Sequence, residues 1–111
     1  FNVDSNCTLV DCHASTDLAL LANELSNGFI FIGRENIARG CVARGHSLNG
    51  FDIAGTNALI VDSISNGNGL SGYAVSGSSI SLVNNIANFN GEYGIHVDGT
   101  SASIVENSVS Q

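Results

Sequence analysis

The strongest constraint on this chain is a repeat: glycines recur at Gly28, Gly50, Gly72 and Gly94, always 22 residues apart. Aligned on them, the segments read GFIFIGRENIARGCVARGHSLN, GFDIAGTNALIVDSISNGNGLS, GYAVSGSSISLVNNIANFNGEY and GIHVDGTSASIVENSVSQ. The opening FNVDSNCTLVDCHA fits one further unit with one residue deleted near Ser5. A fixed period of this length is the mark of a solenoid, in which each unit lacks a core of its own and covers its neighbours instead.

Three columns of alternating side chains emerge from the alignment. The first pairs Phe1 with Val3, Phe29 with Phe31, Phe51 with Ile53, Tyr73 with Val75 and Ile95 with Val97. The second pairs Ala58 with Ile60, Ile80 with Leu82 and Ala102 with Ile104. The third runs through Cys12, Cys41, Ser63, Asn85 and Asn107, followed two residues on by Ala14, Ala43, Ser65, Ala87 and Val109. Period-two alternation in short runs means strands with one face turned inward. Three strands per unit, stacked at roughly 4.8 Å, predict an all-β parallel β-helix of about five coils. Asn85 over Asn107, and Asn68 over Asn90, are expected to form amide ladders, since each Asn side chain both donates and accepts. The glycines are expected where the backbone bends sharply.

The pattern of strand, Gly-Thr or Gly-Ser turn, Ile-x-x-Asn-x-Ala-x-x-Asn and Gly-hydrophobic-x-hydrophobic resembles the repeat of the pectate-lyase-like superfamily. The resemblance covers nearly the whole chain and implies a single-stranded, right-handed parallel β-helix. It implies no single activity, because that superfamily includes polysaccharide lyases, hydrolases, epimerases, tailspikes, adhesins and inert filament proteins.

Composition narrows the partners. Ten acids against three arginines, with no lysine, give a net charge of −7. Nucleic acid is therefore not expected, because phosphate binding needs clustered basic residues. Anionic membrane surfaces are disfavoured likewise, and no apolar run reaches the roughly 18 residues of a membrane helix. No cofactor and no metal site are expected. The three cysteines lack CxxC spacing, and Cys12 and Cys41 fall in one inward column, within disulfide reach but expected as packed thiols. Asn6-Cys7-Thr8 matches the glycosylation pattern, a short motif of low specificity. The chain starts at Phe1 without a basic, apolar leader. It is read as one repeat segment over residues 1–111, a processed product or a piece of a longer chain, with an extracellular or particle-surface setting favoured.

Departures from the repeat are where function is sought. The longest is STDLALLANELSN, where Leu18, Leu21 and Leu25 share a helical face; it predicts a helical insertion at about 15–27, lying over Ile30 and Ile32. The second is an outward apolar stripe of Val42, Ile64 and Ile86, with Val61, Val83 and Val105 beside it, which predicts an interface unless the register slips by one residue. Lateral or end-to-end self-association, or coverage by the remainder of a longer chain, would account for it. Polar outward residues suggest contact with a polysaccharide. Among them Asp52, His96 and Asp98 are the candidate catalytic groups, as paired carboxylates and a general base; the plain alternative is that they are solvated strand residues. His46 is expected as a hydrogen-bonded turn residue. The expected function is a structural or binding solenoid of a fibre, spike or surface protein that contacts glycans, with a fragment of a carbohydrate-active enzyme as the alternative.

Overall fold

The computed structural model describes residues 1–15 and 25–110. Among them the chain is all β, with fifteen short strands in three parallel sheets of five. The first sheet holds β1 (Asn2–Val3), β4 (Phe29–Phe31), β7 (Phe51–Ile53), β10 (Tyr73–Val75) and β13 (Ile95–Val97). The second holds β2 (Thr8–Val10), β5 (Ile37–Arg39), β8 (Leu59–Val61), β11 (Ser81–Val83) and β14 (Ser103–Val105). The third holds β3 (His13–Ser15), β6 (Val42–Arg44), β9 (Ile64–Asn66), β12 (Ile86–Asn88) and β15 (Ser108–Ser110). Every third strand pairs in parallel, so the described residues form a β-solenoid of about four turns, not the five coils expected from the alignment. No helix occurs among the described residues. The helical insertion expected at about 15–27 falls chiefly on residues 16–24, outside them; Ser15 ends β3, and Leu25–Asn27 lie in no strand.

The repeat register of the sequence is the register of the sheets. Tyr73 pairs with Phe51 and Ile95, Leu82 with Ile60 and Ile104, and Ala87 with Ser65 and Val109. Between coils one and two the offset grows from Val3↔Phe31 to Thr8↔Ile37, which locates the deleted residue near Ser5. Phe1, exposed at the end of the column, and the fully buried Phe29, Phe51 and Tyr73 stack face to face at 5.0, 4.7 and 4.8 Å between ring centroids. That is the strand spacing itself, so the aromatic column follows directly from placing like over like. Cys41 is buried and Cys12 half-buried, both as free thiols.

Each corner turns on one residue in the left-handed region. At the first corner it is Asn6, Glu35, Asn57, Ser79 and Ser101; at the second, Asp11, Gly40, Asp62, Asn84 and Glu106; at the third, Gly45, Gly67 and Phe89. Only three of the glycines thus serve the bends by their conformation. The aligned glycines serve another purpose: a Cβ on Gly28 would meet the Gly50 carbonyl oxygen at 2.7 Å, and one on Gly72 would meet that of Gly94 at 2.7 Å. Close approach of successive coils, not backbone freedom, requires glycine there.

Buried amides hold the coils together. In the 68/90 column, Asn68 Nδ2 donates to Asn90 Oδ1 at 3.0 Å, the expected ladder. Both columns serve backbone groups, but in the 85/107 column the amides do not bond one another. Each Oδ1 accepts a backbone N–H from the coil below (Ser63 to Asn85 at 2.9 Å, Asn85 to Asn107 at 2.8 Å). Each Nδ2 turns inward to a carbonyl, of Ile60 and Leu82 respectively. The bend leaves an N–H that the strands do not serve, and this buried backbone group claims the amide oxygen first. Two further Asn columns were not singled out in the sequence: Asn49 N–H donates to Asn27 Oδ1, and Asn88 N–H to Asn66 Oδ1.

Candidate functional site

The outer face of the first sheet carries the candidate catalytic residues. Asp52 pairs with Ala74, and Ala74 with His96, so Asp52 and His96 occupy one outward row two strand spacings apart, roughly 10 Å along the stack. Asp98 follows β13 on the same face, its N–H donating to the Val75 carbonyl at 2.7 Å. The three residues share a face, but Ala74 and Ser76 occupy the coil between them, and neither carries a group that ionises near neutral pH. Asp52 is half-buried, with Ile30 and Ala74 on the flanking strands, and burial pushes its carboxyl above its ordinary value. Desolvation of this kind favours the neutral acid. His96 and Asp98 are exposed.

The sequence reading passed over the aromatic residues beside them. Tyr93, 52% exposed, lies in the corner leading into β13, and its ring sits 4.9 Å from that of His96 at 31°. Phe89, 71% exposed, occupies the left-handed position that Gly45 and Gly67 fill in earlier coils. A bulky side chain in that region is strained by about 1–2 kcal/mol. The signal was in the repeat itself, as an aromatic at a glycine position.

The apolar stripe lies where the register places it, along the corner between the second and third sheets. Val42, Ile64 and Ile86 form one outward row, and Val61, Val83 and Val105 continue the row of Arg39. Val42, Ile64, Val61 and Val83 are half-exposed; Ile86 and Val105 are exposed. Their neighbours Ala43, Ser65 and Ala87 are buried, so the stripe faces outward without a slip of register.

His46 is buried, its Nε2 3.0 Å from the Ala14 carbonyl oxygen and its backbone N–H donating to Asn68 Oδ1. It braces the third corner. Among the described residues, no group of three or more His, Cys, Asp and Glu side chains could hold a metal ion, and no helix is long and apolar enough to cross a membrane.

The fold and this surface define a parallel β-solenoid with a polar outer face on one sheet and an apolar corner on the other side. The chain matches no family model, no curated protein and no solved structure.

Proposed function

We propose that the chain is a structural and binding solenoid of the pectate-lyase-like kind, a repeat segment of a fibre, spike or surface protein that contacts glycans on the outer face of its first sheet. The observation that carries this reading is how the polar groups are spent. The buried Asn and Ser side chains hold one coil to the next, while the outward acids and His96 are spread among Ala54, Ala74 and Ser76 instead of converging on one point. A spread of carboxylate, hydroxyl and imidazole groups along a strand face suits repeated hydrogen bonding to sugar hydroxyls. The exposed Tyr93 ring offers an apolar platform beside them.

A glycan array probed with the whole protein tests this. Retention of particular glycans, lost in Tyr93→Ala with the fold intact by circular dichroism, is the expected result. Absence of retention on all glycans would remove the glycan part of the proposal.

The half-buried Asp52 favours a second reading, a fragment of a carbohydrate-active enzyme in which Asp52 donates a proton and His96 or Asp98 accepts one. Polysaccharide cleavage or epimerisation by the parent protein, abolished by Asp52→Asn and Asp98→Asn together, would establish it over the first.

A further inference from the structure

We propose that the apolar corner is a self-complementary surface on which two copies of this chain pair side by side with their solenoid axes antiparallel. The pairing rests on the structural reading above and names its partner as a second copy.

Three adjacent outward rows make up this corner. The first is Val10, Arg39, Val61, Val83 and Val105, ascending one coil at each step. The middle row, at the bend, is Asp11, Gly40, Asp62, Asn84 and Glu106. The third is His13, Val42, Ile64, Ile86 and Ser108. Apolar residues therefore fill both outer rows on the third and fourth levels, and each other level carries one polar or charged residue, His13, Arg39 or Ser108, in those rows.

Charge decides the orientation. In a parallel pair related by a two-fold axis along the solenoid, the bend row faces its own copy at every level. Asp11 would meet the partner's Asp11, Asp62 the partner's Asp62, and Glu106 the partner's Glu106; like charges in direct opposition are unfavourable. An antiparallel pair has its two-fold axis across the stack, between the coils of Ile64 and Ile86. Each row then faces the same row of the other copy in reverse order. Ile64 meets the partner's Ile86, and Val61 the partner's Val83. Asp62 meets the partner's Asn84, an amide that already donates to Asp62 Oδ1 within one chain at 2.7 Å. Glu106 comes over the partner's Gly40, beside the partner's Arg39. Of the three arginines only Arg39 stands in these rows, so the favourable charge contact is between Arg39 of one copy and Glu106 of the other. In an isologous interface each of these contacts occurs twice.

In this register four strand levels of each copy face one another, three spacings of about 4.8 Å, a contact strip on the order of 15 Å long and one corner wide. A strip of that size belongs with small, reversible interfaces. Dimerisation is therefore concentration-dependent, and sedimentation velocity over a wide range of protein concentration reads it. Glu106→Arg and Arg39→Glu are each expected to weaken dimerisation by roughly tenfold at low salt, because every reversal acts at two symmetric contacts. The doubly exchanged protein, Arg39→Glu with Glu106→Arg, is expected to recover it. Ile64→Glu is expected to leave a monomer whose circular dichroism is unchanged. A strict monomer at every concentration, or a dimer indifferent to Ile64→Glu, would overturn the pairing. So would failure of the double exchange to restore what each single exchange loses. Glycan retention by the Ile64→Glu monomer separates the two readings, since it survives if only the pairing is wrong and is missing in every form if the glycan reading is wrong.

Discussion

Replacing Asn85 by Ala tests whether the buried amides hold the coils together. Asn85 is 1% exposed, and its Oδ1 is the acceptor for the Ser63 N–H at 2.9 Å. Its Nδ2 donates to the Ile60 carbonyl at 2.9 Å. Alanine leaves a buried N–H without a partner, which costs about 1–3 kcal/mol, and the lost amide packing adds about 1 kcal/mol more. The carbonyl suffers less, because an oxygen has a second lone pair for the sheet. The expected loss is therefore about 2–4 kcal/mol, a large part of the roughly 5–15 kcal/mol that holds a domain folded. Asn85→Ser provides the contrast. One coil below, Ser63 already plays this part, its Oγ accepting the Cys41 N–H at 3.2 Å and donating to the Val61 carbonyl at 3.1 Å. Serine at 85 keeps an acceptor for the Ser63 N–H and should cost about 1 kcal/mol, one net hydrogen bond. Urea unfolding followed by far-ultraviolet circular dichroism separates the two, given unchanged m-values. Equal losses for Ala and Ser, or a loss under about 1 kcal/mol for Ala, would refute the assignment of Asn85 as the partner of a buried backbone group.

Other positions extend the test. Phe51 is fully buried between Phe29 and Tyr73, so Phe51→Ala should cost about 3–5 kcal/mol in urea unfolding, among the largest single losses in the chain. Gly67 has φ of +63° with open space around a Cβ, so Gly67→Ala should cost only about 1 kcal/mol of left-handed strain. A Cβ on Gly77 would instead strike the Gly55 carbonyl oxygen, and thermal unfolding should show Gly77→Ala to be clearly the worse of the two. Burial raises the Asp52 carboxyl above its ordinary value, so the ionised form is the one the fold disfavours. Asp52→Asn should therefore stabilise the protein at neutral pH. That gain should vanish as pH falls through the carboxylate range, where the wild-type acid is protonated in both states; unfolding curves at several pH values would reveal it.

Most of the fold was legible because a solenoid writes its register into the sequence 22 residues at a time. The inward columns through Phe51, Ile60 and Ala87 needed only the alignment, and so did the outward stripe through Ile64. Two things were misread for physical reasons. Glycines at 28 and 72 looked like bend residues, because the alignment shows spacing and not how near the next coil comes. The amide of Asn85 looked like one rung of a side-chain ladder, because a column of like residues does not show which backbone groups the corner leaves unpaired. The outer face was less legible still. Nothing in the one-dimensional pattern places Tyr93 against His96, since the corner that brings the rings together is set by the turn and not by the repeat.

The stacking also explains where differences between coils can accumulate. An inward residue such as Tyr73 touches the coils on both sides, so its replacement must suit Phe51 below and Ile95 above at once. An outward residue meets that demand mainly through its backbone, with exposed side-chain bonds such as Asn84 to Asp62 as exceptions. Charge, aromatic exposure and apolar surface can therefore change from coil to coil only on the outside. This is where they do change: Arg39 and Arg44 on one coil, Asp52 on the next, and Phe89, Tyr93, His96 and Asp98 toward the far end. A functional surface on this scaffold is thus expected at outward positions that break their column. By that criterion the first sheet's outer face and the apolar corner are the two places where substitution should alter binding without altering the fold. Exchanging whole coils tests the argument: a coil that keeps its inward residues and loses its outward ones should leave unfolding unchanged while removing the contact that its outer face makes.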